Sequence, residues 1–111
     1  MLCSILVRRL KEGATYEDFR RAWFPEQGFG VPARVRNARR VDDPRELVSI
    51  GFLDMPVESL AEGLEEVAAA ERKRHDRIGE VIESTVIAGI YEVLDDYDFS
   101  SAPRPTENPG L

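Results

Sequence analysis

Ala33-Arg34-Val35-Arg36-Asn37-Ala38-Arg39-Arg40-Val41, then Asp42-Asp43-Pro44-Arg45, then Glu46-Leu47-Val48-Ser49-Ile50-Gly51-Phe52-Leu53-Asp54, is the stretch on which the fold turns. In its first part Val35, Asn37, Arg39 and Val41 alternate with Arg34, Arg36, Ala38 and Arg40. That period of two, with one very polar face, predicts a strand. Asp42 to Arg45 has turn chemistry, and the apolar run from Glu46 to Asp54 predicts a second strand. Together they make an antiparallel hairpin in the middle of the chain.

Toward the N-terminus, Pro25-Glu26-Gln27-Gly28-Phe29-Gly30-Val31-Pro32 reads as a loop, because its prolines and glycines defeat either regular structure. Before it, Tyr16, Phe19 and Trp23 recur at three- and four-residue spacing, which puts the rings on one helix face. Thr15 and Asp18 form a capping box at the start of that helix, with Asp in place of Glu, and Pro25 stops it. Cys3 to Arg9 is near-continuously apolar and predicts a strand covered on both faces, ended by Lys11-Glu12-Gly13.

Toward the C-terminus, Pro56 suits the first turn of a second helix. Its apolar stripe runs Val57, Leu60, Leu64, Val67, Ala68, Glu71, His75, Ile78, so two polar residues stand where the pattern reserves room for the core. Gly79 is expected to close this helix as a left-handed cap, and Glu83 to Leu94 to form the last strand. The segment 100–111, with three prolines and little to bury, reads as a flexible tail, or an arm lying on a partner, after a single domain over 1–99.

Composition agrees with one globular domain: 111 residues, 42% hydrophobic and 32% charged, enough to bury a core without disulfides. No run approaches a membrane span, and Arg8 and Arg9 follow the first apolar stretch rather than precede it, so neither an anchor nor a signal peptide is expected. The single cysteine, Cys3, excludes an intramolecular disulfide and fits a cytoplasmic protein. A net charge of −6 speaks against nucleic acid as a partner, although Arg34, Arg36, Arg39 and Arg40 cluster locally. The arginines read as a solvated edge or as recognition of a carboxylate or phosphate.

The predicted order β-α-β-β-α-β defines an α+β class of ferredoxin-like plan, with two helices on one face of a four-stranded antiparallel sheet. The first strand is apolar on both sides, so the face away from the helices calls for a cover, and a second copy of the chain is the expected one.

With this element order, the two-sided sheet and the aromatic first helix ending in Trp23-Phe24-Pro25, the chain resembles over residues 2–95 the dimeric α/β-barrel superfamily. That superfamily includes cofactor-free antibiotic-biosynthesis monooxygenases, haem-degrading monooxygenases and stress-responsive barrel proteins. The resemblance implies a homodimer with facing sheets, closing a barrel, and in each subunit a small-molecule pocket between sheet and helices. Haem degradation would call for a pocket Asn, a Trp and a second-helix His. Here His75 lies on the second helix, but Ser4 stands where the Asn is wanted and the only Trp is on the first helix, so haem is not expected.

Glu71 and His75, four residues apart, can stack on one helix face, where a carboxylate orients an imidazole as a general base. The alternative is that both sit at a wet helix end. Tyr16 and Trp23 are candidate stacking platforms for a substrate, or core aromatics. Asn37 alternates with Val35, so its amide faces inward and needs a partner or a ligand. No phosphate loop, dinucleotide fingerprint, nucleophile elbow or zinc motif is present, and no cofactor or metal is expected. Two functions remain open: a cofactor-independent monooxygenase, cyclase or isomerase acting on a hydrophobic oxygenated molecule, or a non-catalytic dimeric binding domain.

Overall fold

A computed structural model describes residues 1–108 and 110. Strand β1 (Leu2–Leu10) leads to helix α1 (Tyr16–Trp23), the hairpin β2 (Ala33–Arg40) and β3 (Asp43–Leu53), a 3₁₀ turn (Val57–Ser59), helix α2 (Leu60–Gly79) and strand β4 (Ile82–Glu92). The class is α+β, and the four strands form one antiparallel sheet in the order β2-β3-β1-β4. The sheet is open, with β2 and β4 as its edges, so a single chain does not close a barrel.

Register assigns the two faces. Leu2↔Leu53, Ser4↔Gly51, Leu6↔Ser49 and Arg8↔Leu47 pair across β1 and β3, and successive pairs two residues apart share a face. That face meets the helices: Leu10 and Leu47 from the sheet form the core cluster with Phe19 of α1 and Ile78 of α2. The opposite face carries Cys3, Ile5 and Val7 of β1 beside Phe52, Ile50 and Val48 of β3 and Tyr91 and Ile87 of β4. No helix covers it, and Tyr91 and Ile87 are exposed.

Helix α1 begins as its sequence demands. Thr15 Oγ1 accepts from the Asp18 amide at 3.1 Å while Asp18 Oδ2 accepts from the Thr15 amide at 2.9 Å, a reciprocal capping box. The far end is closed from α2. Arg77 Nε donates to the Ala22 carbonyl and Arg74 NH1 to the Trp23 carbonyl, which satisfies terminal acceptors with cations suited to the negative helix end.

Three details differ from the sequence reading. Gly79 is the last helical residue rather than a left-handed cap; the cap is Glu80, in right-handed conformation, and Glu80 and Val81 close the helix by donating to the carbonyls three residues back. Positive φ occurs instead at Gly13 and Gly30, in the loops, and at Asn108. The hairpin turn is tighter than Asp42–Arg45, since Asp43 already pairs with Arg40 across a bulge at Arg39/Arg40. Finally, the tail folds back on itself: β5 (Tyr97–Asp98) pairs with β6 (Arg104–Pro105), and the Thr106 amide donates to the Asp96 carbonyl. Pro109 and Leu111, part of the segment read as flexible, lie outside the described residues. Among the described residues no helix is long and apolar enough to cross a membrane.

Candidate functional site

Toward the Leu2 end of the sheet, the space between sheet and α2 is not filled. A cavity of ≈ 300 Å³ lies there. Its floor is the helix-facing side of the sheet, with Ser4 and Leu6 of β1, Val35 of β2, Ser49 and Gly51 of β3 and Ala88 and Ile90 of β4. Its roof is α2, through Leu60, Leu64 and Val67. Small residues explain the void: Ser4, Gly51 and Ala88 occupy neighbouring strands where larger side chains would reach the helix. The Pro25–Pro32 loop closes one side with Phe29 and Val31, so Phe29 is a half-buried wall of its own subunit's cavity.

One end of the cavity is polar. Arg74, Glu71 and His75 reach it from successive turns of α2. Glu71 Oε2 accepts from Arg74 NH2 at 2.7 Å and stands 3.5 Å from His75 Nε2. The carboxylate is therefore held first by Arg74 and only secondarily by His75. The His75 side chain is 58% exposed at the mouth, whereas the Glu71 side chain is 25% exposed.

A second polar chain runs across the sheet beneath. Arg8, 3% exposed, donates from NH1 to Ser49 Oγ at 3.3 Å, and the Ser49 hydroxyl donates to Asn37 Oδ1 at 2.6 Å. Asn37 thus finds its partner in a residue of the cavity floor, without lining the cavity itself. Arg8 also lies over the Phe19 ring, 5.7 Å from its centroid. Burial disfavours the cationic form of Arg8, the neighbouring Arg74 charge adds to this, and Glu71 offsets part of it.

Of the residues chosen from sequence, Glu71, His75 and Trp23 line the cavity together. Asn37 joins through Ser49. Tyr16 does not: its ring packs 6.1 Å from that of Phe19 against the Leu10–Ile78 core, away from the cavity lining. Arg8, Ser49 and Arg74 join the site beyond the residues expected from sequence. Arg74 had a signal, because it lies seven residues after Val67, and Val67 seven after Leu60, so all three point the same way from α2. Arg8 likewise alternates in phase with Leu2, Leu6 and Leu10. Arg34, Arg36, Arg39 and Arg40 of β2 are exposed.

Among the described residues, no group of three or more His, Cys, Asp or Glu side chains is placed to hold a metal ion. No protein-family model matches the chain, and no curated protein or solved structure matches it.

Proposed function

We propose that the chain binds a small, largely hydrophobic molecule between its sheet and α2, as one half of a homodimer that pairs through the open sheet faces. The ≈ 300 Å³ cavity carries the reading, with apolar walls and a few convergent polar groups at one end, the usual constitution of a ligand site. The proposed plan is ferredoxin-like: β3 lies between β1 and β2, the strands that α1 connects, and β1 lies between β3 and β4, which α2 connects. The apolar face of Ile5, Val7, Val48 and Ile50 supports a covering second copy, closing a dimeric barrel.

Titration calorimetry with 2-naphthalenemethanol, alongside amide shifts of Gly51 and Gly63, tests the binding. Saturable binding that moves those floor and roof amides is expected; binding that leaves both amides unmoved removes the reading.

His75 supports a second reading, cofactor-free acid–base catalysis at the cavity mouth, as in an oxygenase, cyclase or isomerase. Its ring lines the cavity with a carboxylate 3.5 Å from Nε2. Exchange of the α-protons of 2-tetralone in deuterated water, followed by NMR, reports on this. Acceleration by the protein that disappears in His75→Ala supports the base; no acceleration leaves a binding domain.

A further inference from the structure

We infer that the ligand of this cavity is an anion, a hydrophobic molecule bearing one carboxylate, and that Arg74 receives that carboxylate with Arg8 adding its charge from behind Ser49. The inference rests on the binding reading above and specifies its ligand class.

Charge balance is the first ground. Arg8 and Arg74 are 3% and 7% exposed, so two guanidinium groups, cationic by their chemistry, are buried side by side. The one carboxylate beside them, Glu71, pairs with Arg74 at 2.7 Å and stands 3.5 Å from His75, and acts on Arg8 only as a through-space charge. Among the described residues Arg8 has no carboxylate partner at ion-pair distance, and its one hydrogen bond goes to a neutral serine. A buried cation without a counter-charge is costly, so two guanidinium groups with one anion leave the polar end short of a negative charge.

The second ground is an unused donor. Of the five Arg74 donors, NH1 gives one bond to the Trp23 carbonyl and NH2 one to Glu71, which leaves a second hydrogen on each, and Arg74 Nε is fully buried with no acceptor among the described residues. Arg74 lines the cavity, so a carboxylate there lies beside a guanidinium whose donors are not all used. The Ser49 hydroxyl, bonded to both Arg8 and Asn37, lines the same floor. Everything else around the cavity is chiefly aliphatic or aromatic, which suits the body of the acid and not a second charge.

Matched probes differing in charge test this on the unaltered protein: 2-naphthoate against 2-naphthalenemethanol, and octanoate against 1-octanol, by titration calorimetry at neutral pH. Each acid is expected to bind at least about tenfold tighter than its alcohol, or ~1.4 kcal/mol. In Arg74→Met that preference should vanish while alcohol binding persists. Alcohols that bind as tightly as the acids overturn the anion assignment and leave the cavity reading standing. If none of the four probes binds, both readings fall together.

Discussion

Arg74 holds Trp23 in two ways: its guanidinium lies 5.7 Å from the centroid of the indole ring, and its NH1 donates to the Trp23 carbonyl at 3.2 Å. The residue that faces the cavity therefore also fastens the end of α1 to α2, and the loop that follows Trp23 supplies the cavity wall at Phe29. Losing Arg74 removes a desolvated cation–π contact and two hydrogen bonds and leaves Glu71 without its nearest cation. Arg74→Met should accordingly lower stability by about 1–3 kcal/mol in urea unfolding. Adding Glu71→Gln to it should cost less than the sum of the two single changes, because the second change relieves the stranded carboxylate.

His75 behaves differently from its neighbour. If it were the main partner of Glu71, His75→Ala would strand a half-buried carboxylate. Since Arg74 NH2 is the closer partner and the imidazole is mostly exposed, His75→Ala should leave stability within about 0.5 kcal/mol. A larger loss in urea unfolding would mean that the imidazole bears on the packing of α2. The comparison separates a residue kept for the mouth of the cavity from one kept for the fold.

How far the sequence could be read follows from what each signal measures. Periodicity reports which face of an element is buried, and it placed β1 through β4, both helices and the Thr15–Asp18 cap, because all of these are local. It also put Glu71, His75 and Trp23 near one another, since the second-helix stripe and the aromatic stripe of the first must meet the same sheet. Arg8 and Arg74 escape it because an arginine counts as polar in a pattern, while its aliphatic stem can lie buried and its head rest over an aromatic ring. Tyr16 shows the reverse limit: spacing shows that it shares a face with Trp23, but not that the cavity begins only beyond Phe19. The cavity itself depends on Ser4 and Gly51 being register partners with Ala88 diagonal to Ser4 on the next strand, a fact of register that no local pattern contains.

Gly51 offers a direct way to fill the void. A Cβ added there would meet Val35 Cγ2 at 3.6 Å and Ser4 Cβ at 3.7 Å, ordinary contacts on the cavity floor. Glycine inside a strand is also entropically unfavourable and often marks close approach of a ligand. Gly51→Val should therefore keep or raise the thermal midpoint while abolishing binding of 2-naphthalenemethanol. A variant that binds undiminished would place the ligand elsewhere.

Acid should weaken the start of α1 in a defined window. The Asp18 carboxyl is held below its ordinary value of 3.8, first by accepting the Thr15 backbone amide and then by the Thr15 side chain. A carboxyl with a depressed folded-state pKa contributes stability that is complete above its unfolded value and is lost as pH falls through the folded one. The difference in stability between the parent and Asp18→Ala should thus be flat from pH 7 to about 5 and shrink below about 4. A difference that stays constant to pH 2 would show that the capping box does not depend on the charge.

The open sheet face yields the last expectation. Ile5 and Ile50 are register partners at its centre, flanked by Val7 and Val48 and by Cys3 and Phe52, with exposed Ile87 and Tyr91 on β4 beside them. Contiguous apolar surface of this kind is characteristic of an interface, and an identical face on a second copy is self-complementary under a two-fold axis. Light scattering should give twice the chain mass of 12.5 kDa at micromolar concentration. Ile50→Arg places an unpaired charge at the centre of that interface, where it repels its own symmetry mate, and should give a monomer with unchanged far-ultraviolet circular dichroism. Cys3 supplies an independent reading because its thiol lies on the same face, with its pKa already raised by burial. Covering by a partner should slow its reaction with a disulfide reagent, and Ile50→Arg should restore the faster rate. A parent protein that is monomeric, and whose Cys3 reacts as fast as in Ile50→Arg, would leave this face without a second copy as its cover.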